Sequence, residues 1–280
     1  MGEIRTLSQL LDRLRHDERV TKADVAQKQQ NNAAHNQARE ERHFCIELAG
    51  HTIGIESMYS DVHSMCETYL SDADPEIRIR INDEDLKYEY MEAKKEKATQ
   101  SAGCLETLAA YRKISTALLD YDVFLMHGAV IAEGQDAYLF TAKSGTGKTT
   151  HIRKWLDQIE NSYVVNGDKP LIRITDTQAI ACGTPWCGKE KMQTNCMVPL
   201  KAIVLMERGE NNEIKEITFG DAFTFLLQQT YQPNGSEYMK KTLKLLSQLK
   251  SRVRFYRFIF NNMKEDAFNV AYETLTGEER

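Results

Sequence analysis

Residues Ala142-Lys143-Ser144-Gly145-Thr146-Gly147-Lys148-Thr149 put two glycines, two lysines and three hydroxyls into eight positions. Gly145 and Gly147 permit a turn whose N–H groups face inward, a concavity that binds oxyanions. The positive end of a following helix adds to that field. In such a loop Lys148 would reach the β- and γ-phosphates of a nucleotide, and the Thr149 hydroxyl would ligate Mg²⁺. Ser144, Gly145, Thr146, Gly147, Lys148, Thr149 and Thr150 are the expected cofactor-binding residues. The strict pattern opens with Gly; Ala142 stands there, the next smallest residue.

A metal-holding acid is the second requirement of this chemistry. Asp168 lies twenty residues after Lys148, just past the apolar run Tyr163-Val164-Val165. An acid at a strand end beside a phosphate loop is suited to that role. The plainer reading is a turn residue in Gly167-Asp168-Lys169-Pro170. His127 is the third candidate, a histidine in an otherwise apolar run; such a residue is often a satisfied core histidine. The expected catalytic set is Asp168, His127 and Lys148, with Thr149 and Asp168 as metal ligands.

These residues need elements to hold them. Ala137-Tyr138-Leu139-Phe140 has strand character, and Thr150 to Leu156 reads as a helix start, the strand–loop–helix context the motif requires. Val123 to Ala132 reads as one buried strand containing His127. Glu133-Gly134-Gln135-Asp136 then turns it into the strand before the loop. That hairpin differs from the parallel crossover of ordinary nucleotide-binding folds. Further strands are expected at 162–165, 171–174, 178–182, 197–206 and 253–259. Helices are expected at 220–231, 236–250 and 264–276.

Upstream, Phe44, Ile46 and Leu48, then Ile53 and Ile55, alternate across a turn at Gly50-His51, which predicts a hairpin. A helix from Ser60 to Leu70, capped near Ser60 or Asp61, follows. Ile77, Ile79 and Ile81 mark a one-faced strand. A charged helix spans 83–99, and an amphipathic one about 103–120. Residues 1–41 read as a polar helical arm, with Leu7, Leu11 and Leu14 at helical spacing; it is either solvated or docked on a partner, so a homo-oligomer is compatible with it. The expected domains are 1–41, a small α+β portion over 42–102, and a nucleotide-binding domain over 103–280.

The chain has 280 residues, 41% hydrophobic and 28% charged, with a net charge of −5. That balance argues against a general nucleic-acid binder. No run approaches the ~18 apolar residues of a membrane helix, and no leader is expected at Met1 to Arg15. The six cysteines show neither a CxxC pair nor zinc spacing. They read as reduced thiols of a cytoplasmic protein. Cys182, Cys187 and Cys196 share one stretch and could meet in space.

Three motifs occur in order: His127-Gly128-Ala129, Ser144 to Thr150, and Asn166-Gly167-Asp168-Lys169-Pro170. Together they resemble the superfamily of HPr kinase/phosphorylase and ATP-dependent phosphoenolpyruvate carboxykinase, in particular its small bacterial kinase-like members. The resemblance covers roughly residues 105–276; Gly183 to Lys189 and Pro199 to Ile203 also carry it. It implies an α/β fold with a mixed sheet around a P-loop core, and ATP and Mg²⁺ as cofactors. Lys148 would contact the transferred phosphate, and Thr149 would hold Mg²⁺. Asp168 would bind metal or activate the acceptor, and His127 would sit at the edge of the site. The implied activity is a kinase acting on a hydroxyl of a protein, peptide or small molecule; no nucleic acid or membrane partner is expected.

One position departs from the family. Two adjacent acids are usual where this chain has Gly167-Asp168. A nucleotide-binding regulatory module without turnover is therefore the alternative. Carboxykinase activity ranks last, because only a short segment precedes the loop. Gly183 to Asn195 is the expected acceptor rim, with Trp186 as a flat apolar face and Lys189 and Lys191 as phosphate-neutralising cations.

Overall fold

The computed structural model describes residues 42–95, 98–261 and 266–278; the expected arm at 1–41 lies outside them. The chain divides into two compact units, Met1–Ile114 and Ser115–Arg280.

In the first unit, β1 (Arg42–Leu48) and β2 (His51–Ser57) form the expected hairpin. Its turn is Ala49-Gly50 rather than Gly50-His51. Both residues have positive φ, 53° and 75°, as a two-residue turn matched to strand twist demands. α1 (Ser60–Met65) is shorter than expected. β3 (Leu70–Ser71) and β4 (Ile77–Arg80) complete a sheet of order β3-β1-β2-β4, with β4 parallel to β2. α2 (Asp83–Lys95) and α3 (Ala102–Ala117) follow.

α1 has Tyr59 as its N-cap and no side-chain cap. The amides of Tyr59 and of the residue before it are met from another helix. Glu106 of α3 accepts from Met58 N at 2.5 Å and Tyr59 N at 2.9 Å. Its side chain is fully buried. Burial pushes this carboxyl up to about 7, against the two backbone bonds and with a contribution from Asp61.

The second unit begins with β5 (Val123–Leu125), β6 (Ala129–Glu133), β7 (Asp136–Thr141), α4 (Lys148–Gln158), β8 (Ser162–Asn166), β9 (Leu171–Ile174) and β10 (Ala179–Cys182). It continues with β11 (Met197–Arg208), β12 (Glu213–Ile217), α5 (Phe219–Gln229), α6 (Ser236–Gln248), β13 (Arg254–Phe260) and α7 (Ala267–Thr276). The strand order is β5-β9-β10-β11-β7-β6-β8, and β13 joins β11 to β12. β11 is long enough to serve two sheet regions. Its start pairs antiparallel with β10 and its end runs parallel to β13, while its middle runs parallel to β7. The fold is thus mixed α/β with a mixed sheet.

Alternation divides the central strands between two cores. Leu139, Val130, Ile203 and Leu205 face one side, with Leu226 of α5 and Leu245 of α6. Phe140, Ile131, Val204 and Phe258 face the other, with Trp155 of α4 and Phe268 of α7. Burial on both faces explains why β7 and β11 read as continuous apolar runs.

The expected single strand over 123–132 is two strands. β5 pairs with β9, whereas β6 pairs with β7 and β8. Between them Met126 N donates to Pro170 O, His127 N to Gln229 O and Gly128 N to Asp168 O. Three consecutive amides thus leave the strand ladder, which hydropathy alone could not register.

A pH test follows from Glu106. Its carboxyl keeps its proton in the fold up to about 7, whereas the unfolded chain releases it near 4.5. The folded state binds the extra proton in that window, so this contribution to stability falls as pH rises through it. The stability difference between wild type and Glu106→Gln, measured by urea unfolding, is expected to shift against wild type by about 2 kcal/mol from pH 5 to pH 8. A difference independent of pH would contradict this assignment.

Candidate functional site

The glycine loop 142–147 joins β7 to α4, at the carboxyl end of a central strand. In open α/β sheets ligands bind outside such ends. Gly145 and Gly147 have φ of 75° and 127°, and Gly147 is the N-cap of α4. These are conformations that side chains rarely tolerate. Thr146 Oγ1 donates to Lys143 O at 2.7 Å and closes the turn. Ala142 is fully buried in the aromatic core, so its methyl group replaces the usual glycine by packing inward.

α4 is fixed by its buried face. His151, Ile152 and Trp155 insert among Phe140, Phe258 and Phe268. Trp155 Nε1 donates to His151 Nε2 at 3.3 Å. Burial brings His151 down to about 3, with Lys154 adding, so the ring is neutral and accepts this bond. Lys148, the first residue of α4, is half-buried and donates to Ala142 O at 3.1 Å. Burial lowers its pKa; the charge of Asp168 opposes that shift and Lys169 adds to it. Thr149 is half-buried, whereas Ser144 and Thr150 are exposed.

Antiparallel pairing sets His127 beside this loop. Ala129 lies opposite Phe140, and Thr141 Oγ1 donates to His127 O at 2.8 Å. The imidazole bridges two groups. Nδ1 lies 2.9 Å from Gln229 Oε1, and Nε2 lies 3.4 Å from Asp168 Oδ1. A neutral ring donating from Nε2 would need the Gln229 amide turned to donate to Nδ1.

Asp168 stands on a turn built by Asn166. Asn166 is fully buried, and its Oδ1 accepts from Asp168 N at 2.9 Å and Lys169 N at 2.6 Å. Its amide nitrogen donates to Thr184 O at 3.0 Å and Thr184 Oγ1 at 2.9 Å. Lys169 Nζ lies 2.9 Å from Asp168 Oδ2. Burial would raise the Asp168 carboxyl, but hydrogen bonds from His127 and Lys169 outweigh it and hold it at about 2. The structure therefore sets His127 against Asp168, with Lys148 near enough to respond to the Asp168 charge.

An ionised carboxylate and a hydroxyl are hard oxygen donors. They suit Mg²⁺, which takes few protein ligands and keeps phosphate oxygens and water. Asp168 Oδ2 already holds Lys169, so an ion would share that carboxylate. Among the described residues no three of His, Cys, Asp or Glu are grouped to hold a metal, Cys182, Cys187 and Cys196 included.

The segment after β10 closes over Asp168. A Cβ on Gly188 would lie 3.0 Å from Asp168 Cβ, and Gly167 N donates to Met192 O at 2.9 Å. Gly183 is equally constrained, because a Cβ there would lie 1.9 Å from Thr194 O. Trp186 is only 8% exposed, so it does not offer the open apolar face expected of an acceptor rim. Lys189 and Lys191 are exposed.

Sequence reasoning missed Gln229 and Arg208. Gln229 ends α5, 102 residues from His127. Arg208 donates to the carbonyls of Gly145 and Thr146. No local pattern marks either residue; only strand register and helix placement bring them in.

Gly167 carries a test of the missing acid. A Cβ there would lie 3.3 Å from both Cys187 O and Met192 O. Gly167→Asp is expected to destabilise the protein by about 1–3 kcal/mol, read as a lower Tm, without adding a usable carboxylate. Unchanged stability with gained ATP turnover would overturn this.

No protein-family model and no curated protein matches the chain. Among solved structures, it is similar to the HPr(Ser) kinase/phosphatase from Coxiella burnetii, with a TM-score of 0.33 and 10% sequence identity over 55% of this chain and 88% of that one. A likeness of that size fixes neither topology nor activity.

Proposed function

We propose that this chain is an ATP- and Mg²⁺-dependent phosphotransferase that passes the γ-phosphate to a hydroxyl acceptor. The observation that carries the reading is that a glycine-shaped loop with Lys148, Asp168 and His127 lie at the neighbouring ends of β7, β8 and β6.

The loop amides and the N-terminus of α4 would cradle the polyphosphate. Lys148 would exchange its resting acceptor, Ala142 O, for a phosphate oxygen and neutralise developing charge. Mg²⁺ held by Thr149 and Asp168 would supply further charge neutralisation. A carboxylate held at about 2 is a poor proton acceptor near neutrality, so Asp168 would act through charge and orientation. That suffices in principle, because phosphoryl transfer depends mainly on positioning and electrostatics. His127 has both ring nitrogens engaged, with Gln229 and Asp168, so it would orient Asp168, and it could take the acceptor's proton only after one of those contacts opens.

Two observations favour the second reading, a nucleotide-binding module without turnover. Asp168 is engaged by Lys169, and a Cβ at Gly167 would crowd the carbonyls of Cys187 and Met192 at 3.3 Å.

Calorimetric titration with Mg·ATP and incubation with γ-labelled ATP and host lysate separate the two. Lys148→Ala is expected to weaken Mg·ATP binding about tenfold or more, a loss on the scale of a charge-assisted hydrogen bond. Asp168→Asn is expected to keep binding within a few-fold and lower labelling about a hundredfold or more, the scale of a lost electrostatic contact to the transition state. Binding without labelling in wild type favours the module. Wild type that fails to bind Mg·ATP defeats both.

A further inference from the structure

The phosphate loop is gripped from the side by a residue from another strand. β11 runs parallel to β7 with Leu205 opposite Thr141, so its last three residues continue past the end of β7. The last is Arg208. Its Nε donates to Thr146 O at 3.0 Å and its Nη2 to Gly145 O at 2.8 Å. Because a peptide unit is planar and trans, its N–H points opposite its C=O. Carbonyls drawn toward the guanidinium therefore turn the N–H groups of Thr146 and Gly147 to the inner side of the loop. The Thr146 N–H donates to Lys143 O at 3.3 Å, a long bond that a phosphate oxygen could replace.

We propose that Arg208 is a positioning residue that presets this loop for a polyphosphate before the ligand arrives. The inference rests on the nucleotide reading of the loop and adds to it the group that keeps the loop in its binding form. A guanidinium presents its donors in a rigid fork and can hold two adjacent carbonyls at once; an ammonium is a point charge without that geometry. A loop already ordered avoids part of the entropy lost on binding. Gly145 and Gly147 make such an aid useful, since glycine has the most conformational freedom to lose.

The test uses the full chain as wild type, Arg208→Gln and Arg208→Lys. Amide hydrogen exchange over 143–148 is measured without nucleotide, and Mg·ATP affinity by calorimetry. Arg208→Gln is expected to exchange faster in the loop alone and to bind Mg·ATP about 3- to 10-fold more weakly, as for loss of charge-assisted hydrogen bonds at an exposed site. Arg208→Lys, which keeps the charge without the fork, is expected to behave like Arg208→Gln. The proposal is overturned if Arg208→Gln matches a nucleotide-binding wild type in either measurement. It is also overturned if Arg208→Lys recovers full affinity, since charge alone would then be acting. Wild type that binds no Mg·ATP would instead strike the nucleotide reading, and the exchange data would still report whether Arg208 orders the loop.

Discussion

The β6–β7 hairpin pairs Ala129 with Phe140, and that register brings the start of one strand level with the end of the other. His127 thereby stands beside the loop that follows β7. Its neighbour Gly128 donates to Asp168 O, which ties the turn after β8 to the same point. A slip of one residue would send every side chain of β6 to the opposite face. The alternation of Val130 and Ala132 against Ala129 and Ile131 between two cores resists that slip. The site is therefore placed by apolar packing, and its polar contacts refine positions already set.

Around this point the polar groups are supported at one remove. Asn166 shapes the Asp168 turn, Thr184 holds Asn166, and Gly167, Gly183 and Gly188 allow the segment after β10 to close down on it. On the other side, His151 and Trp155 seat α4, and Arg208 holds the loop carbonyls. Second-layer contacts of this kind restrict the motion of the groups that would meet ligand. The carboxylate of Asp168 is kept ionised by His127 and Lys169, which suits charge stabilisation better than proton uptake.

The parts of this arrangement legible in sequence were the local ones. The loop, the strand before it, the helix after it and the hairpin turn at Gly134 each lie within a few residues, where backbone preference and periodicity act. Asp168 was legible because it follows an apolar run at a turn. The break at Met126-His127-Gly128 was hidden, because both flanks are apolar and the break is made by distant acceptors. His151 follows three polar residues in a helix start yet is buried among aromatic rings. Trp186 was expected as an open face and is covered. Gln229 and Arg208 depend on register and on helix placement, which one sequence does not display.

A crystal structure of the chain with Mg²⁺ and a non-hydrolysable ATP analogue tests the central claim most directly. The account predicts a β-phosphate on the amides of Gly145 to Lys148, Lys148 Nζ moved from Ala142 O to a phosphate oxygen, and the ion between Thr149 and Asp168. A nucleotide bound elsewhere, with Lys148 still on Ala142 O and the loop empty, would contradict it.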